Sequence, residues 1–170
     1  MSTLLDRKVP PALRAVLDQD DNEGFTMALL TVTEEAFPHQ ALISIGEIVV
    51  LDEEHVRLAT WPSSTTTRHM ARTGRCALTA VVDGVSYTVL LALASHGELA
   101  LPGAPLTVVD GRVVEASADT APYAVLESGI RFRLTDPASV FDRWVTTRRL
   151  LRELGPSVWS TRTTGDQAPP

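Results

Sequence analysis

The sequence has little of what secreted, membrane-spanning or disulfide-stabilised proteins require. Its 170 residues include one cysteine, Cys76, which cannot form a disulfide within the chain. The longest uncharged apolar run, residues 89–94, falls far short of the roughly 20 residues that a membrane-spanning helix needs. Residues 1–25 carry charges throughout and contain no apolar segment of a signal peptide. From these absences we expect a cytoplasmic protein with no membrane contact.

Positive charge is also scarce. Fifteen basic residues, only one of them lysine, stand against 21 acidic residues, and the net charge is −6. An acidic protein needs a local basic patch to bind nucleic acid, so we expect no nucleic-acid partner. With 44% hydrophobic and 21% charged residues, the chain has the apolar content for one core. We therefore expect a single domain over residues 1–158, followed by a flexible tail over residues 159–170.

Short runs of β-forming residues follow one another along most of the chain. They predict strands at residues 26–32, 39–45, 48–51, 55–60, 76–82, 85–94, 106–109, 112–114 and 130–134. Asp83-Gly84 and Asp110-Gly111 each separate two of these runs, and Asp-Gly favours a two-residue hairpin turn. A mainly antiparallel sheet of short strands exposes its edges unless it closes. We therefore predict a small β-barrel with peripheral helices.

Two segments outside the predicted strands carry helical signals. The Pro10-Pro11 pair fits a first helical turn, and the apolar residues 13, 16 and 17 share one face. A longer C-terminal helix is predicted to begin with Asp136 as N-cap and Pro137 at the first helical position, and to end before Gly155. Arginines in its last turns suit the negative end of the helix dipole. Trp144 lies on its apolar stripe, where core packing and stacking on a planar ligand are both open.

The most informative stretch is WPSSTTTRH at residues 61–69, in which five consecutive hydroxyl residues precede a short predicted helix ending near Gly74. Hydroxyl groups, free amides at a helix start and the guanidinium of Arg68 together suit a phosphate. Ser64 equally suits an N-cap, in which case its neighbours are simply solvated. No glycine-rich phosphate-binding loop accompanies the stretch, so the residues alone leave both interpretations open.

Other site chemistries lack their sequence patterns. The four histidines never occur at zinc-ligand spacing and there is no second cysteine, so we expect no metal site. Ser44-Ile45-Gly46 lacks the first glycine of a nucleophile elbow, which leaves hydrolase chemistry unsupported. We expect Cys76 to be a buried hydrophobic residue and not a nucleophile.

Three segments together resemble the pyridoxamine 5′-phosphate oxidase-like, FMN-binding split-barrel family. They are PHQALISIGEI at residues 38–48, HVRLATW at 55–61 and SSTTTRHMARTGRCAL at 63–78, the last followed by DGVSYTV. The resemblance covers residues 25–93 and implies a mainly β fold: an antiparallel split β-barrel of six to eight strands with peripheral α-helices, including the long C-terminal one. It also implies a homodimer with the flavin at the interface.

The same resemblance implies which residues contact the cofactor. In this family the strand corresponding to residues 41–45 and the strand end near Thr60 line the isoalloxazine, and the following loop and helix start bind the phosphate. Carried over by position, the cofactor-binding residues are Ser44, Thr60, Trp61, Ser64, Thr65, Thr66, Thr67 and Arg68. The true oxidases carry basic residues where this chain has Thr65 and Thr66. The phosphate-binding charge is therefore expected from Arg68 or from another part of the dimer.

These features favour an FMN-dependent oxidoreductase that acts on a small molecule the sequence does not identify. The flavin would transfer a hydride or electrons, and the protein would mainly position it. The basic C-terminal substrate-binding segment of the true oxidases is not recognisable, so vitamin B6 oxidation is not implied, and no residue stands out as a general acid or base. The alternatives are a deazaflavin-dependent reductase, a non-catalytic flavin- or nucleotide-binding module, and a barrel that has lost its ligand.

Overall fold

The protein is described by a computed structural model over residues 1–20, 22–103 and 105–159. Within these residues, one antiparallel sheet contains eight strands: β1 Ser2–Leu5, β2 Thr26–Val32, β3 Pro38–Ser44, β4 Ile48–Val50, β5 His55–Thr60, β6 Arg75–Val82, β7 Val85–Leu99 and β8 Leu106–Asp119. The strand order is β3-β2-β6-β7-β8-β5-β4, and β1 pairs with the end of β8. A 3₁₀ turn, Ile45–Glu47, joins the two end strands, β3 and β4. The predicted split β-barrel is confirmed.

In the described part of the chain, three helices pack around the barrel: α1 Pro11–Leu17, α2 Thr65–Thr73 and α3 Pro137–Glu153. Helix α3 begins with Asp136 at the N-cap position and Pro137 in the first turn, as predicted. The Asp136 carboxylate accepts from the Ser139 hydroxyl, at 2.7 Å, and not from a helix amide. Trp144 is 3% exposed and contacts Phe132 and Phe141 edge-on, so its core role is confirmed. None of the helices in the described residues is long and apolar enough to cross a membrane.

The two Asp-Gly pairs have different structures. Asp83-Gly84 forms the predicted hairpin turn between β6 and β7, with φ of 49° and 75°. The hairpin predicted at Asp110-Gly111 is wrong, because β8 runs through this pair without interruption. Both flanks of β8 are paired there, with β7 on one side and β5 on the other. At Gly111 the missing side chain leaves room for Leu91 and Val56.

The strand predicted at residues 130–134 is also wrong. Only an isolated bridge between Arg131 and Phe25 is present. Phe132 and Leu134 still pack against the core, whereas Ile130 is exposed. The alternation of apolar and charged residues therefore reflects an extended segment lying on the barrel without a strand partner along its length.

Arg148 anchors α3 to the barrel beside the turn that joins β3 and β4. Its guanidinium is buried and donates to the carbonyl oxygens of Leu17 at 2.7 Å and of Ile45 at 2.7 Å. It also pairs with Asp20, at 2.9 Å. Burial lowers the pKa of Arg148, and the charge of Arg152 lowers it further. The predicted interaction with the helix dipole does not describe this arginine, which instead holds α1, the 3₁₀ turn and α3 together.

The end of the described chain lies against β8. The indole Nε1 of Trp159 donates to the Asp110 carbonyl oxygen at 3.4 Å, and the guanidinium of Arg112 lies 4.9 Å from the indole ring centroid. The rest of the predicted tail, residues 160–170, lies outside the described residues.

Candidate functional site

Helix α2 begins where β5 ends, and Ser64 caps it. The Ser64 Oγ accepts from the Thr67 amide at 3.1 Å, which confirms the N-cap interpretation of the hydroxyl-rich stretch. The amides of Thr65 and Thr66 precede the first intrahelical bond, whose donor is the Arg68 amide. Two amides and the positive end of the helix dipole are therefore available to a ligand beside this helix start.

Thr67 joins α2 to the end of β5. Its buried Oγ1 lies 2.8 Å from the Ser64 Oγ and donates to the Thr60 Oγ1, at 2.8 Å, or to the Trp61 carbonyl oxygen, at 2.7 Å. The bonding capacity of this hydroxyl is used within the protein. Thr67 therefore positions the helix start and its neighbours.

A cavity of about 200 Å³ opens between β3, the end of β5 and the start of α2. Four of the eight predicted cofactor-binding residues line it: Thr60, Trp61, Ser64 and Thr66. Its other walls are mostly apolar and include Leu29, Ala41, Leu42, Ile43 and Ala59. The other four predicted residues do not line the cavity: Ser44, Thr65 and Thr67 are each adjacent in sequence to a lining residue, and Arg68 is two positions from Thr66. The structure thus brings half of the predicted set to one concave surface.

Ser44 positions a carboxylate in this cavity. The Glu47 Oε2 accepts from both the amide and the hydroxyl of Ser44, each at 3.1 Å, in a capping box around the 3₁₀ turn. Glu47 was not predicted as a site residue. The spacing Ser44-x-x-Glu47 is the sequence signature of a capping box and would have indicated that the two side chains meet.

Two arginines lie on α2, Arg68 in its first half and Arg72 in its last turn. The Arg68 Nη2 donates to the Thr65 Oγ1 at 3.1 Å, and the Arg72 Nη2 donates to the Val32 carbonyl oxygen at 2.6 Å. Within the described part of the chain, neither arginine forms an ion pair with a carboxylate. Their charges therefore remain available to an anion.

Two histidines join this cluster. His39 on β3 and His69 on α2 meet edge-on, with ring centroids 5.0 Å apart. The His39 Nε2 lies 3.3 Å from the Thr66 Oγ1, and the His69 Nδ1 lies 3.1 Å from the Thr31 Oγ1. The sequence did not predict this pair, because 30 positions separate the residues and only the packing of α2 on the sheet brings them together.

The pKa of His69 reflects both its burial and the charged groups around it. Burial lowers the pKa of His69, and the neighbouring His39 lowers it further. The guanidinium groups of Arg72 and Arg68 also lower this pKa, whereas the carboxylate of Glu34 raises it. On a protein of net charge −6, the α2 surface is therefore a place where an anion would be attracted.

A second cavity, of about 430 Å³, lies between α3 and the loop that follows β7. Glu47 and Trp61 line both cavities, so the two adjoin at these side chains. Gly46 permits close packing of the helix here, since a Cβ at this position would overlap the indole of Trp144. The guanidinium of Arg143 lies 5.9 Å from the ring centroid of Trp61.

The chemistry of this region suits an organic ligand with an anionic group. The helix start and Arg68 can hold the anion, and the apolar cavity walls can hold a planar group. Among the described residues, no group of three or more histidine, cysteine, aspartate and glutamate side chains is placed to hold a metal ion. Cys76 is buried in the core, which raises the pKa of its thiol to about 12.

Several solved structures share the fold of this chain, although their sequences are only distantly similar to it. A Lactobacillus delbrueckii protein provisionally named pyridoxamine 5′-phosphate oxidase matches with a TM-score of 0.53 and 18% identity, over 66% of this chain and 97% of that one. An FMN-binding protein from Syntrophomonas wolfei matches with a TM-score of 0.50 and 14% identity, over 65% of this chain and 85% of that one. A HupZ variant from Group A Streptococcus matches with a TM-score of 0.51 and 10% identity, over 65% of this chain and 98% of that one.

Sequence comparison identifies a relative directly. The uncharacterized protein YclD of Bacillus subtilis (strain 168) is 36% identical over 131 residues, which cover 77% of this chain and 84% of YclD. No family model matches the sequence. The chain therefore belongs to the same family as YclD, and it has the split-barrel fold of the pyridoxamine 5′-phosphate oxidase-like proteins.

Proposed function

We propose that the protein binds FMN at the start of α2 and in the adjoining 200 Å³ cavity, and that it acts as a flavin-dependent oxidoreductase. The observation that carries this proposal is the meeting of Thr60, Trp61, Ser64 and Thr66 around one cavity at a capped helix start. The FMN-binding protein from Syntrophomonas wolfei, which shares the fold, supports the same choice of cofactor.

The residues at the helix start fit a phosphate. The amides of Thr65 and Thr66 would donate to it, and the Arg68 guanidinium would supply a permanent charge within reach of Thr65. His39 lies 3.3 Å from the Thr66 hydroxyl and adds a ring nitrogen beside the helix start. Arg68 would thus stand in for the basic residues that the true oxidases carry at the positions of Thr65 and Thr66.

The cavity walls fit a planar ring system. Leu29, Ile43 and Ala59 present apolar surface from three different strands, and Trp61 is 45% exposed at the rim. The protein would hold and orient the ring here and shield it from water. Bound FMN supplies the hydride or electron transfer of the reaction.

We also propose that the site is completed in a homodimer. A cavity of about 200 Å³ is smaller than the roughly 300–1,000 Å³ of most ligand pockets, so one chain supplies only part of an FMN site. Leu42 lines the same cavity and is 52% exposed, which leaves apolar surface at its rim for a second copy to cover. Light scattering should give twice the chain mass of 18.4 kDa, and a stable mass of 18.4 kDa would contradict the dimer.

The direct test of the cofactor is a titration of the purified protein, stripped of any bound cofactor, with FMN and with riboflavin. Riboflavin has the same ring but no phosphate, so FMN should bind at least about tenfold more tightly if a charge-assisted contact holds the phosphate. Visible absorbance and mass spectrometry of the protein as purified identify the resident cofactor and separate FMN from a deazaflavin. Failure of FMN to bind would reject the proposal.

A separate test addresses catalysis. The FMN complex is mixed anaerobically with NADH or NADPH, and the loss of flavin absorbance is followed. Reduction of the bound flavin faster than that of free FMN supports an oxidoreductase. Binding without accelerated reduction by either donor would favour the non-catalytic flavin-binding module.

A further inference from the structure

We propose that the 430 Å³ cavity between α3 and the loop after β7 binds planar aromatic cations, including protonated aromatic bases, and that Glu47 is the residue that recognises their charge. Its role as the substrate site rests on the proposed flavin function, whereas the binding itself does not. Trp61 was predicted as a cofactor-binding residue and stacking on a planar ligand was left open for Trp144, but no cation site was predicted here.

The size and walls of the cavity suit such a ligand. Its volume lies within the range of pockets that bind small organic molecules. Leu101, Pro102 and Leu106 form an apolar wall, and the half-exposed indole of Trp61 adds aromatic surface, whereas Trp144 lines the cavity but is almost fully buried. Aromatic rings bind planar cations through both apolar contact and the negative potential of their faces.

The charges in the lining favour a cation. Two carboxylates, Glu47 and Asp142, face one guanidinium, that of Arg143, which lies over the Trp61 ring. Only one carboxylate oxygen of Glu47 is bound by Ser44, and within the described residues the Oε1 has no hydrogen bond. That oxygen can accept from an N–H group of a ligand, or pair with its positive charge.

The position of the cavity connects it to the proposed flavin site. Glu47 and Trp61 form the wall shared by the two cavities. A ligand in the larger cavity would therefore lie next to a ring held in the smaller one. Arg148 and the Ser44–Glu47 capping box keep the 3₁₀ turn in place, so Glu47 is held at this boundary before a ligand arrives.

The indole N–H resonances of the three tryptophans can report whether a ligand binds in the cavity. Trp61 and Trp144 line the cavity, whereas Trp159 lies against β8 near Arg112. The protein is titrated with N-methylquinolinium, neutral N-methylquinolone and anionic quinaldate, and the indole N–H resonances are followed by NMR. Trp61→Phe and Trp159→Phe variants assign the signals. We expect the Trp61 and Trp144 resonances to shift and the Trp159 resonance to stay.

The affinities test the role of Glu47. The cation should bind about five- to tenfold more tightly than the neutral probe, and Glu47→Gln should abolish this difference. Glutamine can retain the capping box, so the turn is preserved. Glu153→Gln, which removes a carboxylate paired with Arg149 at the surface, is the matched control and should leave the difference intact.

Repeating the titration with and without FMN separates this proposal from the flavin function. Shifts at Trp61 and Trp144 without any FMN binding would leave the cation site standing and reject the flavin function. FMN binding with no such shifts, or equal affinity for the cationic and neutral probes, would overturn the cation site alone.

Discussion

Arg57 on β5 and Asp110 on β8 form an ion pair in which both side chains are completely buried. The Arg57 Nε donates to the Asp110 Oδ1 at 2.6 Å, and its Nη2 donates to the Oδ2 at 3.1 Å. The Arg57 Nη1 donates to the carbonyl oxygen of Leu151 at 2.8 Å, and the Asp110 Oδ2 accepts from the Val158 amide at 2.8 Å. The pair therefore fastens the end of α3 and the chain beyond it to the sheet.

Removing one member of this pair should strongly destabilise the protein. Arg57→Met or Asp110→Asn leaves the other member without its charged partner, which typically costs about 3–5 kcal/mol in the free energy of unfolding. Urea denaturation measures the loss. Arg149→Ala, which removes a surface pair with Glu153, should change the free energy of unfolding far less. An equal effect of the buried and surface variants would contradict the anchoring role of the pair.

The same pair predicts a loss of stability in acid. Burial alone would raise the pKa of Asp110, but hydrogen bonds from Arg57 and the Val158 amide outweigh it and hold the pKa below its ordinary value. The stabilisation that ionised Asp110 gives the folded protein is therefore fully present above the unfolded-state pKa of about 3.9. It is lost as the pH falls through the lower pKa that Asp110 has in the folded protein. Urea denaturation from pH 6 to pH 2 should show this decline. In Asp110→Asn the free energy of unfolding should fall less steeply over this pH range. Identical slopes in the two proteins would contradict the contribution of Asp110 to acid sensitivity.

Arg68 should contribute more to FMN binding than any single threonine of the hydroxyl-rich stretch. A charge-assisted contact is worth about 1.5–3 kcal/mol and a neutral hydrogen bond about 0.5–1.5 kcal/mol. Arg68→Ala should therefore raise the FMN dissociation constant about ten- to hundredfold, and Thr66→Val about tenfold at most. Arg149→Ala on α3 serves as the control for a general loss of positive charge. The reverse order of Arg68 and Thr66 effects would reject the phosphate assignment.

Gly46 should not tolerate a side chain. A Cβ at this position overlaps the buried indole of Trp144, so Gly46→Ala must displace that ring or the 3₁₀ turn. Overpacking of this kind typically costs about 1–3 kcal/mol. Thermal unfolding and the Trp144 indole resonance should both report the change. Gly24→Ala is the control, because the nearest atoms to its added Cβ belong to the far end of the long Arg131 side chain, which can change rotamer. Similar effects of the two variants would contradict the close contact at Gly46.

Cys76 should be unreactive in the native protein. It is buried on β6, and burial raises the pKa of its thiol to about 12, so the nucleophilic thiolate is nearly absent at pH 8. A thiol reagent such as DTNB should label it only after urea is added. Rapid labelling of the native protein at pH 8 would show that the thiol is accessible.

Local sequence signals determined several elements of this protein by themselves. The Asp83-Gly84 turn, the Ser64 cap and the Pro137 helix start each depend on neighbouring residues that set the backbone conformation or satisfy its first amides. The resemblance to the split-barrel family also implied that Thr60, Trp61, Ser64 and Thr66 belong to one candidate site, and these residues meet because the end of β5 runs directly into α2.

Tertiary structure decided the features that depend on distant partners. Asp110-Gly111 has the same two residues as the real turn, but two flanking strands and Arg57 provide its hydrogen bonds, and it continues β8. Likewise, His39 reaches His69, and Glu47 comes to share a wall with Trp61, only once the sheet has curled and the helices have packed on it. No local pattern encodes these contacts, because burial and pairing between remote segments outweigh the preferences of a dipeptide.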